Sequence, residues 1–414
     1  MTTAGGLRRE LGTADATAIG LGSMLGAGVF AAFGPAAALA GPWLLVSLVL
    51  AGVVAYCNAV ASAALAARYP HSGGTYIYGR RQLGPWPGFI AGWGFVTGKS
   101  ASCAAMALTF AHYVWPAAAI PVAIAAVVGL TAVNLLGVSR TALATKVLLV
   151  VVLGVLAFAA AAGAGLGTAG AVDDGAASPG LGILSGAGVL FFAFAGYARI
   201  ATLGEEVRNP ARTIPRAIMG ALAGAFVIYA VLAVVLLRGL GPTGLASSAA
   251  PLADLIAPLG AWARAVVQVG AACACLGALL ALVAGVGRTS LAMAREGDLP
   301  RPLARIGHRR SVPWVAEVTV AVVVIVLVLT SDLLTVVGFS GFGVLIYYAI
   351  ANASAFRLED RPGFAPRWLT VVGFAGCLVL AVTLPWRSVL TMAAVLALGV
   401  IARALVLAVR RRRD

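Results

Sequence analysis

The chain has 414 residues, of which 61% are hydrophobic and only 10% are charged, and its formal net charge is +15. Ordinary soluble domains carry roughly 25% charged residues, and a soluble fold could not cover so much apolar surface. The composition therefore excludes a soluble enzyme or nucleic-acid-binding protein and predicts an integral membrane protein. The positive charge is explained by the excess of cations that cytoplasmic loops of membrane proteins carry.

Apolar stretches of about 20 residues, the length that crosses a bilayer, recur along the whole chain. Division of the sequence at charges and at Gly/Pro clusters predicts about twelve transmembrane helices in an all-α protein. They cover residues 13–40, 42–67, 84–115, 117–138, 141–166, 181–206, 213–238, 262–294, 313–331, 333–356, 367–384 and 387–409.

The loops between these helices predict an orientation. With a cytoplasmic N-terminus, 21 basic residues lie in cytoplasmic loops and tails, and three lie on the opposite side. This asymmetry predicts a multi-pass protein of the cell (inner or plasma) membrane with both termini cytoplasmic. Residues 1–12 form the N-terminal tail, and the basic tail 410–414 can contact anionic membrane lipid.

Two of the predicted helices are rich in glycine, and each opens a block of five helices. The glycines are Gly20, Gly22, Gly26, Gly28 and Gly34 in the first helix, and Gly188, Gly196 and Gly204 in the sixth. Small residues also allow close helix packing. A pair of interrupted helices at matching positions, however, is the best sequence indication of a transporter site. A half-helix that starts near Gly26 would present free amides to a carboxylate.

Four motifs occur in order at matching spacing: GSMLGAGVF (22–30), YPHSGGTYIYGRRQLG (69–84, a loop between helices), FFAFAGYARIATLGEEVRNPARTIPRAI (191–218) and RTSLAMAREGDLPRPLARIGHRRSVPWVA (288–316). Together they resemble the amino acid permeases of the amino acid–polyamine–organocation (APC) superfamily, over nearly the whole chain. The resemblance implies a LeuT-type fold with a five-plus-five inverted repeat, residues 13–166 and 181–356, followed by helices 11 and 12 at 367–409. Helices 1 and 6 are expected to be broken, with the substrate between them.

The resemblance also implies which residues bind an amino acid. The substrate carboxylate is expected on the amides of Gly26, Ala27 and Gly28, and the amine on the carbonyls of Met24, Phe192 and Ala195. The phenyl ring of Phe192 is expected to close over the substrate. The side-chain pocket is expected to include Ser23, Ala195, Ala198 and Ser340. No metal and no cofactor are expected.

Lys146 is one of only two lysines, and it lies near the start of the fifth predicted helix. Its side chain could reach the cytoplasmic surface by snorkelling. Its position also resembles that of a lysine in sodium-independent family members, whose ammonium occupies the place of a sodium ion. That resemblance predicts a coupling role for Lys146, with either proton coupling or substrate exchange.

Lys99 is the other lysine, and no family motif accounts for it. It lies about 22 Å from either end of the third predicted helix, so snorkelling cannot bring its charge to water. A cation at this depth is usually functional. The sequence leaves three surroundings open, namely a water-filled cavity, carbonyls at a helix end, or an anionic substrate group, and it predicts a role in substrate binding or gating.

The segment around Ala198 resembles a pattern of cationic amino acid transporters of the superfamily, in which an acidic residue stands at this position. Because this chain has alanine there, arginine, lysine and polyamine substrates are less favoured. The neighbouring Arg199 is expected to pair with Glu205 or Glu206.

The sequence therefore predicts a sodium-independent secondary transporter of small neutral amino acids that works by alternating access. Another small amine, an acidic amino acid, or a non-transporting membrane receptor are the alternatives. An enzyme is disfavoured because no paired carboxylates, nucleophile–base pair or metal ligands lie at membrane depth. The expected partners are the amino acid, protons and membrane lipid, without nucleic acid.

Overall fold

The computed structural model describes residues 11–69, 74–136, 142–166, 180–201, 206–307 and 312–411. The described residues form seventeen α-helices linked by short 3₁₀ turns and loops. The helices are α1 (Thr13–Met24), α2 (Ala27–Ala31), α3 (Phe33–Ala40), α4 (Leu44–Arg68), α5 (Gly74–Leu83), α6 (Pro85–Val114), α7 (Ala119–Leu135), α8 (Ala142–Gly165), α9 (Leu181–Phe194), α10 (Ala198–Ala201), α11 (Pro210–Ser247), α12 (Pro251–Leu255), α13 (Ala261–Arg295), α14 (Trp314–Thr330), α15 (Leu333–Phe356), α16 (Arg367–Thr383) and α17 (Trp386–Arg411).

Every apolar stretch predicted to span the membrane overlaps one of these helices, so the all-helical fold is confirmed. Among the described residues, nine helical stretches are long and apolar enough to cross a membrane, and two shorter apolar helices are α14 and α16. Several residues that the sequence predictions involve lie outside the described part of the chain. These are the tail residues 1–10 and 412–414, part of the 69–84 motif (70–73), residues 202–205 of the 191–218 motif with Gly204 and Glu205, and residues 308–311 of the last motif.

The prediction of a loop across residues 69–84 was wrong, because α5 occupies most of that segment. The segment contains the polar run Arg80–Gln82, so it lacks the apolar length that marks a spanning helix. Tertiary packing holds it instead, since the rings of Tyr76 and Tyr78 are fully buried. The seventh predicted helix, 213–238, ends close to a break inside α11, because Gly241 has φ 69° and ψ 168° and is not helical; a second helical piece continues from there to Ser247.

The centre of the molecule is formed by α6 and α15, which pack closely through small residues. A Cβ added to Gly343 would lie 2.7 Å from the carbonyl oxygen of Gly94, so only glycine permits this approach. Farther along α15, the Asn352 amide donates to the Asn58 side-chain oxygen of α4 over 2.6 Å. Close backbone contact and a buried side-chain bond therefore fix the helices that surround the breaks in α1–α2 and α9–α10.

A buried charged cluster, here termed the Asp298 cluster, joins α5, α17 and the segment after α13. Its members are Asp298, Tyr76, Arg80 and Arg403. Oδ2 of Asp298 accepts from the Tyr76 hydroxyl (2.9 Å) and from Arg80 Nη1 (2.7 Å), and Oδ1 accepts from Arg403 Nε (2.8 Å). The Asp298 side chain is only 4% exposed. The cluster ties the last helix to the bundle, which its apolar sequence alone did not indicate.

Candidate functional site

The first helix is broken at Leu25 and Gly26, as its glycines predicted. Helix α1 ends at Met24, and α2 begins at Ala27. Gly26 has φ −60° and ψ −129°, which is not a helical conformation, and no side chain caps the amides that follow it. Those amides lack partners from a preceding helical turn and therefore remain as potential donors to a ligand.

The sixth predicted helix is also interrupted at the predicted place. Helix α9 ends at Phe194, a 3₁₀ turn covers Ala195–Tyr197, and α10 begins at Ala198. In a 3₁₀ turn the hydrogen bonds join residues three apart, so some carbonyls lose the partner that a regular α-helix would give them. The two helices singled out by their glycines are therefore both interrupted in the structure.

The two breaks lie directly against each other. A Cβ added to Gly196 would lie 2.6 Å from the backbone nitrogen of Met24, and one added to Gly28 would lie 2.7 Å from the Cα of Ala193. Real Cβ atoms do not approach backbone atoms this closely, so each position needs glycine for steric reasons. The glycines thus both permit the breaks and bring their backbones into contact.

The three carbonyls predicted to bind a substrate amine all accept hydrogen bonds from the protein. The Tyr229 hydroxyl lies 2.7 Å from the Met24 oxygen and 3.0 Å from the Ala193 oxygen. The Phe192 oxygen accepts from the backbone N–H of Ala195. Sequence reasoning missed Tyr229, although a tyrosine within an apolar helix indicates a hydroxyl that needs a partner.

The third of these carbonyls, that of Ala195, contacts Lys99. The Nζ of Lys99 donates to the Ala195 oxygen over 3.4 Å, and the Tyr348 hydroxyl donates to the same oxygen over 3.4 Å. The Lys99 residue is only 6% exposed. Of the three surroundings that the sequence left open, the structure has the ammonium on a helix-end carbonyl.

The side chains predicted to line the pocket are buried or half-buried around the breaks. The Ser23 hydroxyl donates to the Ile19 carbonyl of its own helix over 2.8 Å. Ser340 of α15 and Ser102 of α6 share a 2.6 Å hydrogen bond, so Ser340 faces α6. Phe192 and Ala198 are both buried, and each retains a small exposed fraction.

Lys146 lies away from the breaks. Its ammonium forms an ion pair with the carboxylate of Asp15 in the first turn of α1, and its side chain is 49% exposed. Among the described residues, the partner of the Lys146 ammonium is therefore this carboxylate at the start of α1. Lys146 links α8 to the half-helix that precedes the first break, and its coupling role stays a prediction.

Arg199, in α10, lies within electrostatic range of two charged side chains. The carboxylate of Glu206 attracts its guanidinium, and the guanidinium of Arg288 in α13 repels it. Glu206 is one of the two carboxylates that the sequence proposed for it. The other, Glu205, lies outside the described residues.

Comparison with known proteins agrees with this architecture. A family model described as amino acid permease matches residues 11–403. An uncharacterized transporter of Mycobacterium tuberculosis is 56% identical over 399 residues, covering 96% of this chain and 91% of the relative. The branched-chain amino acid permease BcaP of Bacillus subtilis is 24% identical over 335 residues, covering 75% and 72%. Cationic amino acid transporter 7 of Arabidopsis thaliana is 27% identical, covering 88% and 68%. The chain belongs to the amino acid permease family and is a multi-span membrane transporter.

Proposed function

We propose that this permease is a sodium-independent secondary transporter of small neutral amino acids that works by alternating access in the cell membrane. The observation that carries the proposal is the contact between two interrupted helices at Gly196 and Met24. Broken helices that meet within the membrane supply backbone donors and acceptors where no water is available to satisfy them, and a zwitterion can complement both.

The amino acid is proposed to bind with its two charged groups on opposite helix ends. The carboxylate binds the amides of Gly26, Ala27 and Gly28, where the N-terminal end of α2 carries partial positive charge. The amine binds carbonyls near Met24 and Ala195, at the C-terminal ends of α1 and α9. Each charged group then meets a helix end of opposite sign.

The side chain of the amino acid is proposed to face small residues. Ser23, Ala198 and Ser340 are small and uncharged, and two of them carry a hydroxyl, which favours short uncharged side chains. The ring of Phe192 covers the bound molecule.

The remaining organisation follows the same proposal. Residues 13–166 and 181–356 form two inverted repeats, and both termini are cytoplasmic. Lys146, which pairs with Asp15 at the start of α1, couples transport to protons or to counter-exchange and makes a sodium ion unnecessary.

Uptake of radiolabelled alanine, serine, valine and leucine into proteoliposomes tests the proposal. Parallel vesicles carry an inward proton gradient, a sodium gradient, or unlabelled amino acid inside. We expect uptake above that of protein-free liposomes, driven by protons or internal amino acid and indifferent to sodium. Sodium-driven uptake would contradict the coupling, and absence of binding and transport across all twenty amino acids would contradict the function.

An acidic amino acid is the second candidate, because none of the described carboxylates pairs with the buried ammonium of Lys99. Competition by glutamate against glutamine, which have nearly the same shape, separates the two candidates. Stronger competition by glutamine supports the neutral class, and stronger competition by glutamate supports the acidic one.

A further inference from the structure

We propose that the ammonium of Lys99 occupies the acceptor that the substrate amine requires, so that an amino acid binds only by displacing it from the Ala195 carbonyl. This inference rests on the proposed function, since it concerns how an amino acid enters that site. It makes Lys99 a specificity-determining residue, because it distinguishes substrates that carry an amine from those that do not.

The surroundings of the Ala195 carbonyl suit a cation. Ala195 follows the last residue of α9, where the helix dipole places partial negative charge. Lys99 reaches this point from the middle of α6, and its ammonium donates to the carbonyl oxygen. One cation therefore already occupies the helix end on which the substrate amine is expected.

The contact is weakly held and can be exchanged. The distance of 3.4 Å lies beyond the usual range of about 2.7–3.2 Å for an N–H···O hydrogen bond. An ammonium has three donors, yet within the described part of the chain this carbonyl is the single hydrogen-bond acceptor found for Lys99, and no carboxylate pairs with it.

A second cation cannot simply join the first. Two ammonium groups on one carbonyl would lie a few ångströms apart in a region of low dielectric, where like charges repel strongly. The Tyr348 hydroxyl also lies 3.4 Å from the Ala195 oxygen, so the carbonyl keeps one protein donor when Lys99 leaves. A carboxylic acid without an amine would bind the amides of the first break and leave Lys99 in place.

The test compares amino acids with their counterparts that lack the amine. Alanine with propionate and leucine with 4-methylpentanoate are titrated into the purified full-length protein, and Kd is measured by calorimetry. In Lys99→Met we expect tighter binding of the amino acid and weaker binding of the desamino acid. The Kd of the desamino acid divided by the Kd of the amino acid should rise at least tenfold relative to the wild type. An unchanged ratio, or a shift in the other direction, would overturn the inference.

Two further variants keep the test decisive. Lys99→Gln also removes the charge and serves if Lys99→Met does not fold; it should shift the ratio in the same direction. Arg387→Met removes a cation in the first turn of α17, beside Trp386, and should leave the ratio at the wild-type value. Failure of the wild type to bind any amino acid would contradict the proposed function itself, whereas binding with an unchanged ratio in both Lys99 variants contradicts only this inference.

Discussion

Asp298→Asn removes the charge that holds the Asp298 cluster together. The carboxylate accepts from Tyr76, Arg80 and Arg403, and the side chains of Asp298 and Arg403 are 4% and 7% exposed. Asparagine keeps one acceptor oxygen and presents an NH₂ group to guanidinium donors. The buried guanidinium of Arg403 then lacks its counter-ion, and loss of one partner of a buried ion pair costs about 3–5 kcal/mol.

Glu296→Gln provides the matched control. Glu296 also pairs with Arg80, at 3.2 Å, but its side chain is 51% exposed. An exposed pair of this kind contributes less than about 1 kcal/mol. Both substitutions remove one carboxylate charge from Arg80, but only Asp298→Asn also deprives the buried Arg403 of its counter-ion, so the difference between them measures mainly the cost of leaving that buried charge unpaired.

The free energy of unfolding is measured by SDS titration in detergent micelles, with tryptophan fluorescence as the signal. We expect Asp298→Asn to lose at least about 3 kcal/mol and Glu296→Gln to stay close to wild type. Addition of Arg403→Leu to Asp298→Asn should recover about 0.5–3 kcal/mol, because it removes the uncompensated charge. Equal effects of the two single substitutions would refute the reasoning.

Three other predictions concern the breaks, coupling and pH. Gly196→Ala should lower uptake at least about tenfold, because its Cβ would meet the backbone of the first break, whereas Gly285→Ala, with open space around it, should transport normally; equal uptake by both would contradict the steric argument. Lys146→Ala should abolish transport but leave the protein folded and monodisperse in size-exclusion chromatography, and retained pH-dependent uptake would refute proton coupling through this lysine. Burial and the nearby Asp298 carboxylate raise the pKa of the Tyr76 phenol above its ordinary value of 10.0, so the wild type should lose stability relative to Tyr76→Phe as pH rises above 10 in a thermal-melting series, and parallel curves would contradict this.

The fold could be predicted from the sequence because a bilayer imposes a length on every spanning helix. Apolar stretches bounded by charges mark such helices without any knowledge of their packing. Helix α5 shows where this signal fails. It is a short, partly polar helix, and what stabilises it is contact with distant elements, such as the hydrogen bond from the Thr75 amide to the Tyr347 hydroxyl.

The breaks could be predicted as well, since glycine at Gly26 and Gly196 is a local feature of the chain. Their contact could not be predicted from one helix alone, because each glycine is required by backbone atoms of the other helix. The glycine pattern thus indicates where a chain can be interrupted. The three-dimensional structure shows what the interruption allows, which is the approach of Gly196 to Met24.

The hydrogen-bond partners of the carbonyls at the breaks could not be predicted, and the reason is chemical. Tyr229 donates to the Met24 carbonyl from 205 positions along the chain, and Lys99 donates to the Ala195 carbonyl from 96 positions away. Every residue type has the same backbone carbonyl, so the amino-acid sequence does not show which carbonyl will accept such a bond. An ion pair such as Lys146 with Asp15 at least joins two residues of opposite charge. A buried cation without a carboxylate in its own helix is therefore expected to contact a backbone carbonyl at the end of another helix. The interrupted helices are the most favourable candidates, because their ends lie within the membrane.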